Sequence, residues 1–116
     1  MEKAIEFKNQ GNESFKLKEF EKVRTNFTKI YIFPKAIEEY KDGLRYCPKD
    51  EEKTAAILYS NCASCYFNLA DYNMCIECAT QSIALNKEYL RPVLCRAGAY
   101  YELEKYEESH EGISSR

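Results

Sequence analysis

Ser60-Asn61-Cys62-Ala63-Ser64-Cys65-Tyr66-Phe67-Asn68-Leu69-Ala70-Asp71-Tyr72 sets a small residue, Ala63, three places before an aromatic, Tyr66. A polar break and a second aromatic, Tyr72, follow. The arrangement returns with Ala97, Tyr100 and Tyr106, shifted by the same interval at each of these positions. A period of about 34 residues, with small and large apolar residues at fixed offsets, signals stacked helix–turn–helix repeats. Gly11 and Ser14, followed by Ala36, Tyr40 and Pro48, fit the same template once an interruption is removed.

Outward from that stretch, the pattern predicts an all-α chain of about three stacked hairpins, the last truncated. Thr54 to Leu69 reads as a helix with Ala56, Leu58, Tyr59, Cys62, Ala63, Tyr66 and Phe67 apolar. Asp71 suits the N-cap of a partner helix, Tyr72 to Leu85. Asn86-Lys87-Glu88 leads to a helix from Tyr89 to Leu103, where Pro92 is tolerable because it lies in the first turn. Glu104-Lys105 is expected to turn the chain into a final helix from Tyr106 to Ile113. Ala63 and Ala97, with Gly11, are expected to mark equivalent close-contact points in the three hairpins. An array of this kind usually ends in a helix with a polar outer face. None is evident before Arg116, so a fragment of a longer protein or an exposed apolar flank is expected.

The first hairpin is less regular. Glu2 to Leu17 is close to a helical period, and Lys18-Glu19 is the expected turn. The partner helix starts at Phe20 but meets Val23 to Lys35, a segment rich in β-branched and aromatic side chains. Removing it joins Phe20-Glu21-Lys22 to Ala36-Ile37-Glu38-Glu39-Tyr40 and restores the template. The segment reads as a surface loop, whose closure entropy grows slowly with length, or as a lengthening of the first helix pair. A retained intron is a third reading. Lys35 to Tyr46 resumes as helix. The chain is thus one domain, 1–116: repeat 1 at about 4–50 with the insertion 23–35, repeat 2 at about 56–89, and repeat 3 at about 90–116.

Composition narrows the function. The 116 residues are 45% apolar and 31% charged, ordinary for a globular protein. A net charge of −2 offers no basic footprint for nucleic acid or an anionic membrane. No apolar run approaches the roughly 20 residues of a membrane span. The start is amphipathic and mixed in charge, unlike a secretory or transit peptide. A cytoplasmic location is expected, with the six cysteines reduced.

Through Gly11-Asn12-Glu13-Ser14-Phe15, Ala36, Tyr40, Pro48, Ala63, Tyr66, Cys75, Ala97, Tyr100 and Ser109, the chain resembles the tetratricopeptide repeat family. It is similar in more detail to the co-chaperone type, whose concave groove holds the C-terminal carboxylates of a chaperone tail ending Glu-Glu-Val-Asp. The resemblance implies a clamp in which Lys8 and Asn12 serve the first helix, Asn61 the third and Arg91 the fifth. The second basic residue of the fifth helix should fall at Cys95, which is not basic. Arg96 is adjacent, but one residue turns a helical side chain by about 100°. Phe15 and Phe67 are expected to contact an apolar side chain of the same peptide.

The residues support a groove on physical grounds as well. Lys8 and Asn12 are i and i+4, on one helix face. A carboxylate-ended peptide needs cations and amide donors. The implied function is a non-enzymatic binding module for a protein or peptide, with no cofactor and no nucleic-acid or membrane partner. The alternatives are a scaffold for another protein and a cysteine-based metal or redox protein. For the last, Cys62-x-x-Cys65 and Cys75-x-x-Cys78 raise zinc. Both pairs fall inside helical patterns without tight turns, so packing as small hydrophobes is the favoured reading. Cys47 and Cys95 have no sequence neighbours that suggest activation. His110, among Glu107, Glu108 and Glu111, has no nucleophile or orienting group nominated for it and reads as a solvated side chain.

Overall fold

A computed structural model describes residues 16–114, with side chains through Glu108. Gly11 and Ser14, with nearly all of the expected first helix, lie outside the described residues, as does the side chain of His110. The chain divides into two units, Met1–Ile32 and Phe33–Arg116. Among the described residues there is helix and no strand.

In the first unit, residues 16–27 are α-helical (α1) and Thr28–Ile32 form a π-helical turn. The turn expected at Lys18-Glu19 is absent. Segment 23–35 is also not a loop: it comprises the end of α1, the π turn and the first residues of the next helix. Local contacts favour this conformation. The hydroxyls of Thr25 and Thr28 donate back to the carbonyls of Glu21 and Arg24, each at 2.9 Å. Phe27 and Tyr31, one turn apart, stack with ring centroids 5.3 Å apart. Pro34 supplies no amide and would crowd the carbonyl four residues back, and a π turn is a common way to relieve the ladder near such a residue.

In the second unit, α2 (Phe33–Tyr46), α3 (Glu52–Asn68), α4 (Tyr72–Leu85) and α5 (Leu90–Ser114) pack in sequence, with α5 also touching α3. The core is made of small residues. Cys62, Ala63, Cys75, Cys78, Ala79 and Ala99 are buried together, ringed by Tyr40, Tyr66, Phe67, Tyr72 and Ile76. Small side chains let the helix axes approach, and the aromatics seal the edges. Gly43 and Gly98 serve the same end. A Cβ on Gly43 would meet Leu58 Cδ1 of α3 at 3.3 Å, and one on Gly98 would meet the Phe67 ring at 3.3 Å.

The turn from α3 to α4 follows from its residues. Ala70 takes a left-handed conformation at φ 60°. The amide of Asp71 then donates to the Tyr66 carbonyl at 2.9 Å and that of Ala70 to Phe67 at 3.0 Å, closing a Schellman motif. The Asp71 carboxylate accepts from the Met74 amide at 3.3 Å, capping α4. The buried Ser82 hydroxyl donates to the Ala56 carbonyl at 2.6 Å, fastening α4 to α3.

One repeat later, the expected turn at Glu104-Lys105 does not form, and Tyr106 to Ile113 is not a separate helix. Instead α5 runs unbroken for 25 residues. Glu and Lys are good helix formers, and neither can cap a helix start as Asp71 does. The consequence reaches Ala97. Ala63 is fully buried, but Ala97 is exposed, because no helix folds back onto it among the described residues. Gly98 and Ala99 make the close contacts of α5 instead.

Candidate functional site

The residues expected to bind peptide come from three helices. Lys8, Asn12 and Phe15 lie outside the described residues. Asn61 stands half-buried on α3, and Arg91 is exposed in the first turn of α5. Phe67 is half-buried, its ring edge-on to Tyr72 at 5.4 Å and against Gly98, so much of its surface is spent on packing. The Arg96 guanidinium donates to the Thr80 hydroxyl of α4 at 3.3 Å and so is engaged with that helix.

Cys95 is where the helices converge. Its Sγ lies 3.3 Å from Sγ of Cys75 on α4. It also meets the hydroxyl of Ser64 on α3, with the Arg91 charge close by. Cys75 is fully buried, whereas Cys95 is only partly so. The hydrogen bond shared with Cys75, then the Ser64 hydroxyl and Arg91, bring the Cys95 thiol down to about 7 against the opposing effect of burial. Cys75, the partner in that contact, is pushed well up by it, with burial adding to the shift. The two thiols are thus shifted in opposite directions, the accessible one down and the buried one up.

Sequence reasoning passes over this pair because the two cysteines are far apart along the chain; the expectation that Cys95 has no activating neighbour is wrong, since Arg91, one turn before it, acts on its thiol. The repeat register holds the clue. Cys75 occupies the small-residue position at which one repeat touches the next, and Cys95 falls on the face that meets it.

The other thiols behave differently. Burial pushes Cys62 up to about 11, with help from Cys78 and Cys65, and raises Cys65 and Cys78. All six cysteines are free, and among the described residues no cluster of His, Cys, Asp or Glu is arranged to hold a metal ion. Among the described residues no helix is long and apolar enough to cross a membrane.

Comparison with known proteins gives the context. The chain is 31% identical over 106 residues to sperm-associated antigen 1A of Danio rerio, covering 89% of this chain and 22% of that protein. It is 31% identical over 106 residues to the Hsp70/Hsp90 co-chaperone CNS1 of Saccharomyces cerevisiae, covering 91% and 24%. Against the mitochondrial import receptor subunit TOM70 of Rattus norvegicus it is 24% identical over 115 residues, covering 99% and 17%. The chain thus spans less than a quarter of the length of these relatives. No family model and no solved structure matches it.

Packed antiparallel helices built on a constant sequence period define a helical-repeat protein. Together with the sequence period, the similarity to these relatives identifies the chain as a tetratricopeptide repeat protein.

Proposed function

We propose that this chain is a non-enzymatic, chaperone-binding module that captures an acidic C-terminal tail, of the Glu-Glu-Val-Asp kind, through its free carboxylates. The observation that carries the reading is the meeting of Ser64 and Cys95 between α3 and α5. Asn61 precedes Ser64 by about one turn, and Arg91 precedes Cys95 by one turn. Since α3 and α5 touch, this spacing supports a reading in which the amide and the guanidinium share one side of the repeat. An amide donor beside a cation suits a carboxylate. Lys8 and Asn12 complete the clamp in this reading, and Phe67 offers its remaining surface to an apolar side chain of the tail. Similarity to a protein that is itself an Hsp70/Hsp90 co-chaperone supports the same partner class.

The reading carries a built-in weakness at Cys95, because Arg96, bonded to Thr80, is engaged elsewhere. Loss of one charge-assisted hydrogen bond costs about 1.5–3 kcal/mol, roughly 10- to 100-fold in affinity. Titration with a Glu-Glu-Val-Asp peptide and with its C-terminal amide tests this. The free acid is expected to bind and the amide to fail. Lys8→Ala should abolish binding, and Cys95→Arg should tighten it about 10-fold or more. Equal binding of acid and amide would overturn the clamp.

A further inference from the structure

We propose that Cys75 and Cys95 form an oxidant-sensitive pair that closes into a disulfide between α4 and α5. The two sulfurs are already in contact at 3.3 Å on adjacent helices, and a bond requires them to close to about 2.05 Å. Their exposures divide the labour. Cys95 is partly open to solvent and is the sulfur an oxidant reaches. Cys75 is fully buried behind it and is the resolving partner. The thiolate character of Cys95, described above, is what such chemistry requires of the attacking sulfur.

The oxidant is a peroxide. The Cys95 thiolate attacks one peroxide oxygen, breaking the O–O bond, becoming a sulfenic acid and releasing hydroxide. The Cys75 sulfur then attacks the Cys95 sulfur, the S–OH bond breaks, and the oxygen leaves as water with the Cys75 proton. Two thiols lose two electrons in all, and the peroxide gains them. Cys62, Cys65 and Cys78 are buried, with their thiols pushed up, so they do not compete.

The bond would also remove the negative charge that Cys95 places beside Arg91. In this second step, which rests on the carboxylate-clamp reading, oxidation favours an acidic tail. The pair would then act as a redox-set gain on the groove, in the place where the clamp lacks its second cation.

The test exposes the reduced full chain to stoichiometric hydrogen peroxide. Two of the six thiols should disappear and return with a dithiol reductant. Digestion by trypsin with proteases cutting at Tyr72 and Glu77 separates Cys75 from Cys65 and Cys78. The Cys75 and Cys95 fragments should appear joined, lighter than their sum by two hydrogen atoms. Cys95→Ser should keep all its thiols under the same exposure. A link from Cys95 to any other cysteine, sulfinic acid at Cys95 with Cys75 still free, or no thiol loss would overturn the pair. Peptide titration near pH 8 reads the second step separately. The oxidised chain should bind a Glu-Glu-Val-Asp peptide tighter by on the order of threefold. A disulfide without that gain overturns the coupling to the groove and leaves the bond itself established.

Discussion

Repeat 2 and repeat 3 present the same outline in sequence and reach different structures. Leu69-Ala70-Asp71 and Leu103-Glu104-Lys105 are separated by the same interval as Ala63 and Ala97. At the first, the chain reverses through a left-handed Ala70 and a capping Asp71. At the second, Lys105 lies over the Tyr101 ring at 5.5 Å, a contact between residues one turn apart that rewards continued helix. The comparison teaches that hydrophobic periodicity sets which helices can stack, whereas two or three polar residues decide where a helix stops. It also separates register from burial, since Ala63 and Ala97 share one and not the other.

The largest expected effect comes from the two alanines. Ala63→Leu forces a larger side chain into a fully buried helix contact and should cost about 1–3 kcal/mol. Ala97→Leu, on an exposed position, should stay within about 0.5 kcal/mol. Urea unfolding of the two variants beside the parent measures both. Equal costs would mean that a helix covers Ala97, and the contrast between the repeats would collapse.

Much of the fold is legible because small residues recur at close-contact positions. The period places α4 at Tyr72–Leu85, as observed, and Asp71 at its N-cap. The cap signal is readable there because Asp has few other reasons to precede such a run. Analogy from repeat to repeat is what fails. Register alone assigns a turn to Lys18-Glu19 and to Glu104-Lys105, although neither pair carries a breaker or a cap. Segment 23–35 misleads for a related reason. Its β-branched and aromatic residues depress helix propensity only slightly, and local stacking and hydroxyl back-bonds offset the deficit. Of the site, Asn61 and Arg91 are legible as single residues on their helices. The Cys75–Cys95 contact is not, because it depends on how two helices meet rather than on any local motif.

The capping residue offers the next contrast. Asp71→Ala removes the acceptor for the Met74 amide and should cost about 1 kcal/mol. Lys105→Ala removes an exposed contact with Tyr101 and should cost about 0.5 kcal/mol or less. Thermal unfolding resolves the difference, and a larger loss at Lys105 would show that α5 depends on that contact more than α4 depends on its cap.

The glycine contrast is the sharpest, because its sign should reverse between the repeats. Ala70 sits at φ 60°, where a Cβ crowds the following carbonyl and glycine does not. Ala70→Gly should therefore stabilise the chain by about 0.5–1 kcal/mol, the relief of the left-handed strain exceeding the added freedom of the unfolded state. Glu104→Gly places the same residue inside a continuous helix and should destabilise by about 0.5–1 kcal/mol. Denaturant midpoints compared at constant slope decide it. Stabilisation at both sites would mean that residues 103–105 also turn and that the unbroken α5 is wrong. Destabilisation at both would remove the left-handed residue from the α3–α4 connection, and with it the reason this hairpin closes where its successor does not.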